Sequence, residues 1–524
     1  MHDPETVYLV LAAATVGLVV LASRLRIPYP IVVLVGGLVL GLVPGMPTVE
    51  IEPDVVLLLL LPPLLYSGAF FMPTREFRAN LRPIVLLSVV VVLLTTGAVA
   101  VVGHYALGLS WPVAFVLGAI VSPTDPVAFE AVAHRLSVPR RLTSIVQGES
   151  LVNDGTALSI YASAVAAVTV GTVSGPDVAG SLVLGIAGGV VVGLVAGWLL
   201  GELRRRVDSA PEELALSLLS AYLGFVVAEH LGVSGVLAAV TTGFYHGYRQ
   251  HHFISATTRI QTFSFWEMLV FLVNAGLFIV VGLQLPAILE SLRGSDERSL
   301  VVAGAIVTAV VIAVRVLWVG GLTVMLRALN PRWRWAQPLP ARYAVVISAT
   351  GMRGAVSLAA ALAIPLEVQG GGPFPERDLL IFLAFVVMVA TLVPQGLLLP
   401  WLLDRLGLDG DETVDREEAH ARRVAARAAA HRLEQLRDED WVDSDLADRL
   451  ESLYAFREER FSARLSDDGD PAMEQQADRR RTLRRAVLDA ERDALRGLRD
   501  EGEIDGDVLR RVERDLDLED GRLN

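Results

Sequence analysis

Four polar residues lie within one otherwise apolar stretch of the chain: Glu149, Ser150, Asn153 and Asp154. Residues four apart in a helix share a face, so Glu149 with Asn153 and Ser150 with Asp154 form two adjacent stripes. A buried carboxylate is stabilised either by taking up a proton or by holding a small cation together with other oxygen ligands. Proton and cation therefore compete for Asp154. If the site opens to one side of a membrane at a time, that competition suffices for exchange.

A first break in the helical pattern precedes this stretch, where Pro123 and Pro126 flank Thr124 and Asp125. Each proline removes a backbone donor and disfavours helix in the residue before it. Backbone groups left unpaired inside a membrane are tolerated only where they are buried in protein or line a wet cavity. We therefore expect Thr124 and the carbonyl groups near Asp125 to join Ser150 as further oxygen ligands of the cation.

A second break lies where Gly351 and Gly354 bracket Met352 and Arg353. It follows the first by seven predicted membrane spans, so the two interrupted helices run in opposite directions. Paired interruptions at corresponding positions of two inverted halves indicate the midplane site of a transporter. The sequence therefore predicts two inverted repeats whose interrupted helices cross at the ion site.

The charges at membrane depth need partners, because half of a buried ion pair is costly. Glu149 and Arg353 are opposite in sign, and we predict that they pair. Asn153 can both donate and accept, which favours a bridge to Asp125. Arg315 lies in the middle of another span. We expect it to brace the core or to reach a lipid headgroup.

The composition divides the chain in two. Its 524 residues are 53% hydrophobic and include no cysteine. Residues 1–403 carry 23 acids and 22 arginines, for a net charge of −1, whereas residues 404–524 carry 35 acids and 23 arginines, for a net charge of −12. An apolar body is thus joined to a charged tail. This pattern excludes a single soluble globule, a disulfide scaffold and a basic nucleic-acid-binding protein.

The body, residues 1–403, reads as about thirteen membrane spans of roughly 20 residues each. With the loop after the first span placed inside, the inside loops hold 17 arginines and the outside loops hold 3. Positive charge stays on the cytoplasmic side during insertion, which predicts an outside N-terminus and a cytoplasmic tail in the plasma membrane. On this topology Glu130 lies towards the inside, at a solvated helix end or, alternatively, in an entry funnel.

The tail, residues 404–524, shows apolar residues at helical spacing and predicts about four amphipathic helices. Breaks near residues 467–471 and 502–506 favour a small bundle over one long coiled coil. The predicted fold is therefore an all-α polytopic membrane protein with a small helical cytoplasmic tail domain. The tail is expected either to regulate or support the body or to be a solvated appendage.

These segments resemble the bacterial sodium/proton antiporters of the first monovalent cation–proton antiporter family, over roughly residues 10–403. Four motifs carry the resemblance: Ser122-Pro123-Thr124-Asp125-Pro126, Gly148-Glu149-Ser150-Leu151-Val152-Asn153-Asp154-Gly155, Gly351-Met352-Arg353-Gly354, and Leu61-Pro62-Pro63-Leu64-Leu65-Tyr66 followed by Phe70-Phe71. One departure concerns the last motif. Many relatives carry an acid shortly after the proline pair, whereas residues 66–69 here hold none.

The resemblance implies a homodimer in a lipid membrane, with a dimer domain and a mobile six-helix core that moves like an elevator. It implies that Asp154 binds the cation and carries the proton. The Na+ ligands predicted from the residues are then Asp154, Ser150 and Thr124. Asn153 and Asp125 complete the ion site, and Glu149 with Arg353 forms the family's ion pair. An asparagine–aspartate pair goes with electroneutral exchange in this superfamily.

The sequence thus predicts a secondary transporter, not an enzyme, that exchanges a monovalent cation for H+ and controls cytoplasmic pH and sodium. Na+ is the favoured cation; no resident cofactor is expected. K+/H+ exchange is the strongest alternative within transport. A gated cation channel is an alternative of another class, but channels need a continuous pore, which a lone polar cluster between broken helices does not suggest. A membrane sensor signalling through the tail would leave the buried acids unexplained.

Overall fold

The structure is a computed structural model, and the residues that it describes are almost entirely helical. Within them the only β-pairing is an isolated bridge between Glu367 and Pro373. The described residues are 4–43, 56–171, 175–207, 209–250, 256–292, 296–328, 340–369, 371–408, 413–437, 439, 441–466 and 471–521. By internal contacts the chain separates into two compact units, Met1–Gly410 and Asp411–Asn524. The division falls seven residues after the predicted boundary at 403.

The first unit contains long helices interspersed with short ones. Its helices are α1 (Pro4–Leu25), α2 (Tyr29–Gly41), α3 (Leu61–Phe71, preceded by a π-helical turn at Val56–Leu60), α4 (Thr74–Ala79), α5 (Leu81–Val85, continued by a π-helical turn at Leu86–Val90), α6 (Val91–Leu107), α7 (Trp111–Val121), α8 (Val127–Leu136), α9 (Arg140–Val170), α10 (Gly175–Arg204), α11 (Ala210–His230), α12 (Gly235–Arg249), α13 (Ala256–Ser291), α14 (Glu297–Ala328), α15 (Ala341–Ala349), α16 (Ala355–Leu362) and α17 (Arg377–Arg405).

Seven helical segments of the described chain are long and apolar enough to cross a membrane. Shorter apolar helices accompany them, namely Leu11–Leu25, Tyr29–Gly41, Leu58–Phe71 and Trp111–Val121. The helical, membrane-spanning fold is therefore confirmed, whereas the count of thirteen spans stays a prediction. The physical reason is that several predicted spans are short or interrupted, and each fragment alone is shorter than the roughly 20 residues that cross the hydrocarbon core.

Both predicted breaks are present. α7 ends at Val121 and α8 begins at Val127, and α15 ends at Ala349 while α16 begins at Ala355. Prolines cause the first interruption and glycines border the second. The two non-helical segments meet, because the Asp125 amide donates to the Met352 carbonyl at 2.8 Å. Each break thus supplies one backbone partner that the other lacks, as buried backbone requires.

The second unit is built from charged helices with apolar stripes. Its described helices are α18 (Thr413–Leu436), α19 (Ser444–Leu465), α20 (Pro471–Asp500) and α21 (Gly506–Gly521). Ala447, Phe461, Leu488, Leu509 and Leu516 are among its buried residues. A core this small leaves most side chains in water, which fits the high charge of the segment.

Candidate ion-binding site

The Asp125 carboxylate caps two helices at once. Its Oδ1 atom accepts a hydrogen bond from the Val127 amide at 2.8 Å, and its Oδ2 atom accepts one from the Ala355 amide at 3.0 Å. Those amides open α8 and α16. A helix N-terminus carries unpaired donors and partial positive charge, so one carboxylate balances the N-termini of both half-helices.

Gly354 is required by this arrangement. A Cβ atom at this position would overlap the Asp125 carboxylate, which sits directly against the Gly354 backbone. Any larger residue would push the carboxylate away from the two amides that it caps. The glycine recognised as a helix breaker in the sequence therefore has a second role, which is to let Asp125 approach the other half-helix.

Arg353 balances the opposite helix ends. Its side chain donates to the carbonyl groups of Val121 at 2.8 Å, Ser122 at 3.3 Å and, in a short contact, Gly351. These carbonyls lie at or just beyond the C-termini of α7 and α15, where helices carry partial negative charge. Arg353 is 1% exposed. The predicted ion pair between Arg353 and Glu149 is therefore wrong, because Arg353 donates to carbonyl groups and not to Glu149.

Glu149 pairs with Arg315 instead. The Arg315 Nη2 atom lies 3.1 Å from Glu149 Oε2, and Nη1 contacts Oε1 in the same two-pronged contact. Arg315 Nε also donates to the Ile347 carbonyl on α15 at 2.9 Å. Both side chains are buried. Arg315 thus braces the core, as one of the two sequence interpretations held, and does not reach outward to lipid.

Thr124 links this ion pair to the predicted asparagine. The Asn153 Nδ2 atom donates to Thr124 Oγ1 at 2.7 Å, and the Thr124 hydroxyl donates to Glu149 Oε1 at 3.3 Å. The predicted bridge from Asn153 to Asp125 is accordingly replaced by one to the neighbouring threonine. Asn153 still connects α9 to the first break, because Thr124 lies in that break.

Asp154 stands apart from these fixed contacts. No described residue donates a hydrogen bond to its carboxylate, although the residue is only 8% exposed. It lines a cavity of about 740 Å³, and Thr124, Asp125 and Ser150 line the same cavity. The structure therefore brings together the three predicted Na+ ligands, Asp154, Ser150 and Thr124, around one space. Asn153 is not part of the cavity wall.

The cavity wall also includes residues outside the predicted ion site. Glu130 lines it and accepts a hydrogen bond from Gln147 Nε2 at 2.8 Å. This places Glu130 in a funnel and not merely at a solvated helix end. Tyr29 and Asn274 also line the cavity. Neither belongs to a charged motif, and only their place in the folded chain reveals them.

A second buried polar network lies in other helices. Arg204 pairs with Glu213 at 2.8 Å, and the Tyr66 hydroxyl lies 2.9 Å from His246 Nδ1. His246 Nε2 lies 2.9 Å from the Gly197 carbonyl, so Nε2 carries a proton and Nδ1 accepts from Tyr66. Tyr66 belongs to the proline-pair motif at the start of α3, so the sequence already singled it out. Its partners could not be predicted in the same way, because they lie far from it in the chain.

Comparison with known proteins decides the family. The profile described as "Sodium/hydrogen exchanger, transmembrane" matches residues 10–405. The chain belongs to this family. An uncharacterised Na+/H+ exchanger of Mycobacterium tuberculosis is 39% identical to it over 99% of this chain and 96% of its own length. The Na+/H+ antiporter ApNhaP of Aphanothece halophytica is 30% identical over 78% of this chain and 75% of its own length.

A solved structure supports the same fold. The sodium proton antiporter MjNhaP1 of Methanocaldococcus jannaschii, determined at pH 8, aligns with a TM-score of 0.61 and 20% identity, covering 77% of this chain and 99% of its own. This likeness confirms the predicted fold class, and the profile match confirms the predicted family of this chain. Its family is one of transporters, so the chemistry to be explained is the movement of ions.

Proposed function

We propose that this exchanger-family protein is a secondary antiporter that exchanges Na+ for H+ across the cell membrane. One observation carries the proposal. Asp125, Glu149 and Arg353 each have fixed partners, whereas no described residue donates to Asp154, which faces a cavity. Asp154 is therefore the carboxylate that can bind a proton and a cation in turn.

The proposed cation ligands are the Asp154 carboxylate and the hydroxyl groups of Ser150 and Thr124, because a hard cation prefers such oxygens. Asn153 orients Thr124 through their hydrogen bond. Asp125 holds the two half-helices in place. Glu149 and Arg353, whose pairing was predicted, act here as structural charges with separate partners.

The cavity suggests which side has access to the site. Its lining runs from Asp154 to Met72, Glu130 and Gln147. Met72 and Glu130 lie near the loops in which most body arginines occur, and arginine-rich loops face the cytoplasm. We therefore assign the structure to an inward-facing state, with the N-terminus outside and the tail cytoplasmic. Exchange then requires an elevator-like movement that exposes Asp154 on the other side.

Two further properties follow from the family. We propose that the protein acts as a homodimer in the plasma membrane and that it controls cytoplasmic pH and sodium. We also propose electroneutral exchange, because Asp154 offers one titrating group and binds one proton or one monovalent cation. The protonated and the Na+-loaded forms then carry the same charge.

The direct test is transport by purified protein in proteoliposomes, read by dequenching of a pH-sensitive dye as Na+ is added. Asp154→Asn should abolish the signal while the protein still inserts and elutes as folded protein, because an amide neither exchanges a proton nor supplies a carboxylate. Asp378→Asn is the matched control, since Asp378 lies in the first turn of α17 and outside the cavity wall. Normal exchange by Asp154→Asn would contradict the mechanism.

K+ is the second candidate cation. An antiporter of Bacillus pumilus that is 29% identical over 80% of this chain and 64% of its own length is named for sodium, potassium, lithium and rubidium. The same dye assay, titrated separately with Na+, K+ and Li+, distinguishes the candidates. We expect the lowest half-saturating concentration for Na+, and a lower one for K+ would assign the protein to K+/H+ exchange.

A further inference from the structure

A cavity of about 670 Å³ lies between α18, α19 and α20 of the tail unit. Its wall combines seven arginines with three aromatic residues, Tyr454, Phe456 and Phe461, and several alanines. Among the described residues of the wall, Glu418 is the only acid. The volume is within the range of about 300–1,000 Å³ that holds small ligands.

The charge of this wall is opposite to that of the segment around it. Five of the arginines pair with four carboxylates: Arg422 with Glu418, Arg460 and Arg464 with Glu474, Arg481 with Asp478, and Arg484 with Glu519. Among the described residues, seven arginines less four carboxylates leave a charge of +3 at the cavity. Residues 404–524 as a whole carry −12. The positive charge is thus concentrated at one concave surface and is not a property of the tail's composition.

Two arginines in the wall are not paired with any described acid. Arg457 and Arg480 form no ion pair with any described residue, and both are exposed. Arg480 instead lies over the Phe456 ring, 4.2 Å from its centroid, and Arg457 lies 5.6 Å from that of Tyr454. By contrast, the hydrogen bonds from Arg460 lower the pKa of Glu474 to about 2, which keeps that carboxylate ionised and paired. The five paired guanidinium groups fix the wall, and the two unpaired ones are available.

Guanidinium groups bind phosphate oxygens through two parallel hydrogen bonds and also stack on flat rings. Aromatic side chains in turn stack on nucleobases, with little dependence on the base. Phosphate-binding cations beside stacking surfaces are the two features that recognise a nucleotide. We propose that the tail cavity binds a nucleotide, with its phosphates on Arg457 and Arg480 and its base against the aromatic wall near Tyr454. This proposal does not rest on the ion site.

The test is calorimetric titration of the full-length protein in detergent micelles with ATP and, separately, with inorganic tripolyphosphate, in 150 mM salt and without divalent metal. ATP should bind saturably, with one site per chain. Arg457→Gln and Arg480→Gln should each weaken ATP binding by about tenfold or more, since each removes a charged hydrogen-bonding group. Tyr454→Ala should weaken ATP binding several-fold and leave tripolyphosphate binding unchanged.

Matched controls lie on the same helices. Arg449→Gln on α19 and Arg479→Gln on α20 remove the same charge from positions outside the cavity wall, and ATP affinity should stay as in the wild type. Unchanged melting temperatures verify that all the variants fold. Three results would overturn the proposal: no saturable binding by the wild type, equal losses in the control variants, or tripolyphosphate binding as tight as ATP, which would indicate a simple polyanion site.

Discussion

Neutralising Arg315 alone should lower the melting temperature of this exchanger more than neutralising Arg315 and Glu149 together. In the folded protein the two side chains are 2% and 1% exposed and contact each other through both pairs of terminal atoms. Arg315→Met leaves the buried Glu149 carboxyl group without its arginine partner, with only the weak Thr124 contact at 3.3 Å. Glu149→Gln in the same protein removes the stranded charge and keeps the shape of the side chain.

The magnitude follows from the cost of a stranded buried charge. Removing one partner of a buried ion pair costs about 3–5 kcal/mol, whereas replacing both is often close to neutral. Unfolding entropy of about 2.1 cal/mol/K per residue gives about 0.9 kcal/mol/K for the 410-residue first unit, so this cost lowers the melting temperature by about 4–6 °C. The double variant should recover at least half of that loss.

The melting temperature is measured on the detergent-solubilised variants. Each sample is heated, and size-exclusion chromatography then gives the fraction that remains folded. Arg353→Met is the matched comparison, because Arg353 is equally buried but donates to carbonyl groups. Its loss should lower the melting temperature too, and Glu149→Gln should not rescue it. Rescue of Arg353→Met but not of Arg315→Met by Glu149→Gln would show that the partners assigned here are wrong.

Three further predictions test the geometry of the site. Gly354→Ala should abolish folded protein because its methyl group meets the Asp125 carboxylate, whereas Gly320→Ala, with open space around it, should express normally. Thr124→Ser should retain exchange, and Thr124→Val should lower it at least tenfold in the dye assay by removing a proposed cation ligand. Glu130→Gln should raise the half-saturating Na+ concentration by about two- to fivefold without changing the maximal rate, since it removes a solvent-screened charge from the funnel.

The interruptions and the acid-bearing face of α9 could be predicted from the sequence because they depend on local chemistry. Proline and glycine act on the residues beside them, and spacing by four defines a helix face without knowledge of the fold. Ser150 and Asp154, four residues apart, line the same cavity for this reason. The number of membrane spans is harder to predict, because it depends on whether two short helices on either side of a break together form one span.

Partners are harder still, since they depend on how distant helices pack. Arg315 and Arg353 both lie in the middle of apolar segments, and the sequence alone offers Glu149 equally to either. The deciding feature is that Arg353 sits in a break, where free carbonyl groups compete for its donors. Arg315 lies in the middle of the unbroken helix α14, where most backbone carbonyls are already occupied, so it needs a carboxylate. A rule follows: an arginine within a helix break should first be tested against helix C-termini.

The charge of the loaded site leads to the final test. Because Asp125 and Glu149 are held by fixed partners, we expect the two loaded forms of the site to differ only at Asp154, which is neutral when protonated and neutral in sum when it holds Na+. Both loaded forms then carry the same charge across the membrane, so the membrane potential does the same work on each. An imposed potential of 100 mV would supply about 2.3 kcal/mol per transported charge, enough to change an electrogenic rate many-fold. Na+-driven H+ flux in proteoliposomes clamped at 0 and at −100 mV should therefore agree within error, and a clear difference would mean that a second group titrates.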